Sequence, residues 1–223
     1  MYKKLIKFGS FGFLLLLTNC FEIVEEVSFN RDGSGHVTLS LNLSRSKTKL
    51  NSILRLDSIN NYEVPSEIDI RKHFKEITST VENTNGISNV TNSLNFNEYI
   101  FSISCDFNDV DALNTVISNF STKEEALLIK KQKHFSFDKT QNTFTRNYHY
   151  DISRAFQKTR MEDRKVFETA SITTIYRFET PILSSKNSTA KIAPSKKAIM
   201  LRVNAQELIT NQNSMKNQIK LQN

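Results

Sequence analysis

The alternation of apolar and polar side chains predicts two strands near the start of the chain. Residues 21–30 (FEIVEEVSFN) and 36–44 (HVTLSLNLS) place apolar side chains on one face of an extended backbone and mostly polar ones on the other. The RDGSG sequence between them contains Asp32-Gly33 and Gly35, residue types that tolerate the positive φ of a tight turn. We therefore expect a β-hairpin with one buried face.

Two helices are predicted after this hairpin. The apolar residues within 50–56 fit a short helix. A longer one is expected after Pro65, because Ser66 and Asp69 have the spacing of a capping box and apolar residues then recur every three or four positions as far as Val81. The sequence Asn85-Gly86 is typical of the residues that end a helix.

The rest of the chain predicts strands and one further helix, which Asn108 would cap and which would bury Phe120. The charged residues 154–165 fit a short helix or a loop, and the amide-rich residues after 208 fit a frayed helix or a flexible tail. The predicted strands are residues 90–96, 99–107, 135–137, 144–150, 171–179 and 198–204. The order β-β-α-α-β-β-α-β-β-β-β is that of an α+β domain with a largely antiparallel sheet and about three helices.

The first 20 residues have the features of an export signal. Three lysines precede an apolar run at 8–17, which is shorter than the roughly 20 residues of a membrane-spanning helix. Residues 17–20 (LTNC) resemble the lipobox of bacterial lipoproteins, which implies cleavage before Cys20 and acylation of its thiol. The alternative is an ordinary secretory signal that ends in a cysteine by chance. The predicted organisation is a signal peptide at 1–19, a single α+β domain at 20–208 and a polar flexible tail at 209–223.

The formal charge of the 223-residue chain is +7, and it is unevenly distributed. Residues 20–185 contain 20 basic and 22 acidic residues, whereas the segment from Lys186 onward contains seven basic residues and only Glu207. The domain itself is therefore not basic, which argues against a nucleic-acid partner. The C-terminal basic residues either contact anionic lipid headgroups or simply belong to a solvated loop and tail. The candidates for such a contact are Lys186, Lys191, Lys196, Lys197 and Arg202.

No sequence motif predicts an enzyme. The four histidines lack the spacing of metal ligands, and the chain has no nucleophile elbow, phosphate-binding glycine loop or zinc-protease motif. We therefore expect no catalytic residue, metal or cofactor. If Cys20 is acylated, Cys105 has no disulfide partner, and its position in phase with Phe101 and Phe107 predicts a buried, unreactive thiol.

Aromatic residues are concentrated in the predicted strands of the second half. A sheet rich in phenylalanine can line an apolar ligand cavity or can simply fill a core, and the pattern is compatible with both. The candidate cavity residues are Phe135, Phe137, Phe144, Tyr148, Tyr150, Tyr176 and Phe178. Our hypothesis is a domain that binds a lipid or other amphiphile between the sheet and its helices. The alternative is an adaptor or assembly factor that binds another envelope protein.

Several features together resemble the LppM-type bacterial lipoproteins. They are the strand directly after the lipobox, the DGSG hairpin, the unit of two strands and a capped helix at 87–117, and the late FETP strand followed by a KNST loop and a final apolar strand. The resemblance covers about residues 20–205, but this chain lacks the tryptophan that the family's last strand usually carries. It implies an envelope domain with a lipid or lipoglycan ligand and no catalytic residues. We expect a lipid anchor in the cell envelope, at the outer rather than the inner membrane.

Overall fold

The computed structural model describes residues 21–59, 62–121, 133–147, 156–157 and 161–222. The strands are β1 (Glu22–Phe29), β2 (Gly35–Asn42), β3 (Ser58–Ile59), β4 (Tyr62–Glu63), β5 (Ile87–Asn95), β6 (Ile100–Phe107), β7 (Phe135–Asp138), β8 (Thr143–Arg146), β9 (Ser171–Phe178), β10 (Ile182–Ser185), β11 (Lys191–Ile192), β12 (Ala198–Asn204) and β13 (Asn217–Leu221). The helices are α1 (Lys47–Ile53), which follows a 3₁₀ turn at Ser44–Ser46, α2 (Glu67–Glu82), α3 (Val110–Asn119), α4 (Met161–Glu168) and α5 (Ala205–Ile209).

The strands form a seven-stranded sheet, a four-stranded sheet and a separate two-stranded pair. The large sheet has the order β11-β12-β9-β1-β2-β6-β5, the small sheet the order β10-β13-β8-β7, and β3 pairs with β4. Strand β1 pairs in parallel with β9, and the other pairings among the described strands are antiparallel. The α+β class with a largely antiparallel sheet is therefore confirmed.

The predicted hairpin of β1 and β2 is present, and its glycines have different roles. Gly33 occupies the turn with a φ of +84°, a conformation that other residues rarely adopt. Gly35 begins β2, where an added Cβ would lie 2.0 Å from the carbonyl oxygen of Ser28. The hairpin thus depends on glycine both for the turn conformation and for the close approach of its two strands.

One face of the large sheet carries the main core. Phe29 of β1 and Phe178 of β9 are paired in register and stack with their ring centroids 5.2 Å apart. Phe144 of β8 packs against Phe29 from the small sheet, at 4.7 Å between centroids. The two sheets therefore share an aromatic core. It is completed by the buried side chains of Val27, Phe107, Tyr176, Ile182, Ile199, Ile219 and Leu221.

The opposite face of the large sheet is polar, and ion pairs cross its strands. Glu26 of β1 lies 3.3 Å from Arg177 of β9, and Glu22 lies 3.1 Å from Arg202 of β12. This division into one apolar and one polar face is what the alternating sequence predicts.

The helices α2 and α3 cover the part of the apolar face that the small sheet leaves open. Helix α2 packs on β5, and α3 packs on β6 and β7. The predicted capping box of α2 is confirmed: Ser66 Oγ accepts from the backbone N–H of Asp69 at 3.2 Å, and the Asp69 carboxylate accepts from the N–H of Ser66 at 3.0 Å. No helix in the described ranges is long and apolar enough to cross a membrane.

Three local predictions were wrong: the residue that caps α3, the burial of Phe120 and the flexible tail. Helix α3 is capped by the Asp109 carboxylate rather than by Asn108, and Phe120 is 51% exposed instead of buried. The predicted element order roughly matches the observed one, which adds β3, β4, β10, β11, β13, α4 and α5. The residues assigned to a flexible tail contain β13, which pairs with both β8 and β10 and buries Ile219 and Leu221. Two inward apolar side chains are sufficient for this strand because it lies in the interior of the small sheet.

Candidate functional site

A cavity of about 540 Å³ lies between helices α2 and α3 and the apolar face of the large sheet. Its walls are mainly aliphatic side chains that the helices and strands β2 and β6 direct toward one another. The lining residues are Glu25, Val37, Leu39, Ile77, Val81, Ile103, Ser104, Cys105, Leu113, Val116, Ile117, Phe120, Ser121 and Phe135. Its size falls in the range of about 300–1,000 Å³ that is typical of small-molecule sites.

The apolar lining is continuous with two partly exposed side chains. Leu39 of β2 is 47% exposed although it lies on the inward face of the sheet, and Phe120 follows α3 with 51% exposure. Large apolar side chains that line a cavity and also contact solvent are suited to admit a ligand that is itself apolar.

Glu25 is the charged residue of the cavity wall. Alternation along β1 places it on the same inward face as Ile23 and Val27, and its side chain is only 16% exposed. One carboxylate oxygen accepts from the Tyr176 hydroxyl at 2.6 Å, and the other accepts from an Arg146 guanidinium nitrogen at 3.1 Å. A carboxylate buried in this way requires such partners, because desolvation disfavours its charge.

Arg146 is held behind Glu25 at the end of β8, with a side chain 6% exposed. Its Nη1 donates to His134 Nε2 at 3.1 Å and to the Asn147 carbonyl at 3.3 Å. The guanidinium also lies over the Phe135 ring, 5.4 Å from the centroid. Burial opposes its charge, but the Glu25 carboxylate raises the pKa of Arg146 above the usual value. Because arginine cannot accept a hydrogen bond, the contact with His134 requires an unprotonated Nε2.

Tyr176 completes the polar cluster from strand β9. Burial, and then the charge of Glu25, raise the pKa of its hydroxyl well above the ordinary value, so that it stays a neutral donor. The cluster therefore consists of one acceptor, Glu25, and two donors that both point at it.

The prediction of a buried Cys105 is confirmed. Burial, and then the charge of the neighbouring Asp106, raise the pKa of the Cys105 thiol to about 11. The thiol is therefore protonated and weakly nucleophilic at neutral pH. Its place in the cavity wall was not predicted.

The aromatic residues proposed for a cavity belong mostly to the filled core. Phe144, Tyr176 and Phe178 are buried where the small sheet packs on β1 and β9, and Phe137 packs against them. Phe135 alone among the described candidates lines the cavity; Tyr148 and Tyr150 lie outside the described residues. Most of these large rings fill the space between the two sheets, whereas aliphatic side chains beneath α2 and α3 leave a gap. Phe137 and Phe178 also line a smaller pocket of about 320 Å³.

The sequence contained an unused signal for the polar cluster. Glu25 interrupts a run of apolar residues that share its strand face, and Arg146 lies two positions from Phe144 on another. Charged residues at inward positions are rarely buried without a partner, so each indicated a buried contact.

The five basic candidates lie on or beside strands β10, β11 and β12. Arg202 lies beside Glu22, at the start of β1, and is paired with it. Lys191 of β11 pairs with Met200, two residues from Arg202, and Lys197 lies just before β12, five residues or roughly 17 Å of extended chain from Arg202. A joint role of the five in binding an anionic membrane stays a prediction.

A second groove, of about 760 Å³, is polar and lined mainly by amide and hydroxyl side chains near the small sheet. Its central residue, Asn187, is bonded to Asn217, Ser214 and Lys216 within the protein. The part of the chain that the structure describes contains no group of three or more histidine, cysteine or acidic residues arranged for a metal ion.

The chain matches no protein-family model and no curated protein. Its structure is similar to the NMR structure of the folded domain of Mycobacterium tuberculosis LppM, with 10% sequence identity and a TM-score of 0.43 over 90% of this chain and 89% of that one. A structural similarity at this level supports no conclusion about the residues of the site. The functional expectations drawn from the LppM-type resemblance therefore stay predictions.

Proposed function

We propose that this protein is a non-enzymatic lipoprotein of the bacterial cell envelope that binds an amphiphile with an apolar chain in the cavity beneath α2 and α3. The observation that carries the proposal is the cavity itself, with its volume of about 540 Å³ and aliphatic walls. Each methylene removed from water contributes about 0.8 kcal/mol, so that a chain filling such a space is bound without help from directional contacts.

The expected anchor would hold this cavity near a membrane. Cys20 lies outside the described residues, but β1 begins at Glu22 and Glu25 is already part of the cavity wall. Five residues of extended chain span at most about 18 Å, so acylation of Cys20 would keep the cavity within a short distance of the lipid surface. This placement suits a ligand that enters from the membrane.

Filling the cavity with a larger side chain tests the proposal. Val116→Trp introduces an indole into the cavity from α3, whereas Leu183→Trp adds one at an exposed position of β10 as the matched control. With N-phenyl-1-naphthylamine as a fluorescent probe, the wild type and the Leu183→Trp variant should bind with one saturable site, and Val116→Trp should bind at least about tenfold more weakly. Equal binding by all three proteins, with unchanged circular dichroism, would argue that the cavity is not the site.

A separate experiment tests the anchor. Cys20→Ser should abolish labelling by a fatty-acid probe and should leave uncleaved precursor, because the thiol is the expected acyl acceptor. Cys105→Ser is the matched control and should be labelled and processed like the wild type. Labelling of the Cys20→Ser protein would refute the lipoprotein assignment.

The adaptor alternative has less support. The two most exposed large apolar residues of the described chain are Ile68 of α2 and Leu183 of β10. The next are Phe120, Leu56 and Leu39, of which Phe120 and Leu39 line the cavity. Ile68 and Leu183 belong to elements that share no sheet, and the exposed pair Leu39 and Phe120 belongs to the cavity already described, whereas an adaptor requires a separate contiguous patch.

A further inference from the structure

We propose that the polar end of the cavity's ligand is a hydrogen-bond donor, a hydroxyl or an ammonium group, and that Glu25 accepts from it. This inference rests on the proposed function and adds the class of ligand: a single-chain alcohol or amine in preference to a fatty acid or another anionic amphiphile.

The charge of the cavity wall is the first argument for a donor headgroup. Of the fourteen described residues that line the cavity, Glu25 alone bears a formal charge, and the other polar members are Ser104, Ser121 and the neutral thiol of Cys105. An anionic headgroup in this space would therefore meet a negative charge in surroundings where charges are weakly screened. An ammonium group would meet its counter-charge there.

The second step concerns the unused capacity of Glu25. Its two carboxylate oxygens have about four lone-pair sites, and the described contacts occupy two, with Tyr176 and Arg146. The remaining exposure of the side chain is 16%, and the residue lines the cavity. A ligand donor can thus bond to Glu25 while both existing contacts are kept.

The positive charge of Arg146 does not reverse this preference. Arg146 is not among the residues that line the cavity, and its side chain is 6% exposed. Its Nη atoms already donate to Glu25, His134 and Asn147. An anion in the cavity would consequently meet Glu25, with the guanidinium shielded behind it.

The volume sets the size of the apolar part. A methylene occupies about the volume of a water molecule in the liquid, roughly 30 Å³. A cavity of about 540 Å³ therefore has room for on the order of 18 methylenes. This corresponds to one long acyl or alkyl chain. A ligand with two such chains would leave one of them outside.

A set of four ligands with the same twelve-carbon chain tests the headgroup preference: dodecanol, dodecylamine, dodecanoate and dodecyl methyl ether. The full lipidated chain is placed in phosphatidylcholine vesicles at pH 8. Phe120→Trp supplies the reporter, since the sequence has no tryptophan and Phe120 lines the cavity. Dodecanol and dodecylamine should bind at least about tenfold more tightly than dodecanoate and the ether, as expected for a hydrogen bond to a charged acceptor in a buried site.

Glu25→Gln, in the same reporter protein, should weaken dodecylamine binding by about tenfold and reduce the discrimination against dodecanoate, because the amide keeps an acceptor for Tyr176 but removes the charge. Glu22→Gln is the matched control on β1. Its side chain is paired with Arg202 rather than lining the cavity, and it should leave all four affinities unchanged.

The outcomes separate this inference from the proposed function. Saturable binding of all four ligands with similar affinity, or tighter binding of dodecanoate, would overturn the donor preference and leave the amphiphile-binding proposal intact. Absence of saturable binding for every ligand would overturn both. If Glu25→Gln does not fold, as judged by circular dichroism, the order of the four affinities in the protein with Glu25 intact decides the question.

Discussion

The buried ion pair between Arg146 and Glu25 should be a main determinant of stability, and Arg146→Met is the substitution that isolates it. Methionine retains most of the apolar stem of arginine and removes the charge. The change leaves the Glu25 carboxylate, 16% exposed, with Tyr176 as its remaining described partner. It also removes the donor to His134 and Asn147.

The expected cost follows from this burial. Removing one partner of a buried ion pair costs about 3–5 kcal/mol, mostly because the other charge is left uncompensated. With a urea m-value of about 2 kcal/mol/M, a loss of about 4 kcal/mol lowers the midpoint of unfolding by about 2 M. Arg202→Met is the matched control, since Arg202 also lies 3.1 Å from a glutamate, Glu22, but is half exposed. Arg202→Met should lower the free energy of unfolding by less than about 1 kcal/mol.

The assay is urea unfolding followed by circular dichroism for the two single variants and for Glu25→Gln combined with Arg146→Met. The combined variant removes both charges and keeps an acceptor for Tyr176, so it should recover about 2 kcal/mol relative to Arg146→Met alone. The reasoning is refuted if Arg146→Met costs no more than Arg202→Met, or if adding Glu25→Gln gives no recovery.

Three further predictions concern single positions. Alkylation of Cys105 by iodoacetamide should be slow at neutral pH and should accelerate as the pH rises toward about 11, because only the thiolate reacts; rapid alkylation at pH 7 would contradict this. Gly35→Ala should lower the free energy of unfolding by about 3 kcal/mol in urea unfolding, because the added Cβ would overlap the Ser28 carbonyl. The control Gly33→Ala should lower it by about 1 kcal/mol, because its Cβ has ordinary contact distances and only the positive φ is unfavourable. Ser66→Ala should cost about 1 kcal/mol by removing the cap of α2, and an unchanged urea midpoint would show that the cap is dispensable.

The sequence determined the elements whose signals are local. Alternation in β1, β2 and β6 gave the strands and the face that each one buries, and Cys105 was correctly placed in the interior. The capping box at Ser66 located the start of α2 to the residue, because a cap is formed between residues three positions apart.

The tertiary structure alone decided where these elements leave space and which charges meet. Glu25 and Arg146 are 121 residues apart in the chain, and no local pattern relates them. The amide-rich composition of β13 did not predict a strand. Pairing with β8 and β10 stabilises this strand, and its two apolar side chains do not predict those long-range pairings. The cavity is a difference between the volume enclosed by packed layers and the volume of the side chains inside it. The periodicity of the sequence predicts the direction of each side chain. The unfilled volume depends instead on the distance between the layers, which only long-range packing determines.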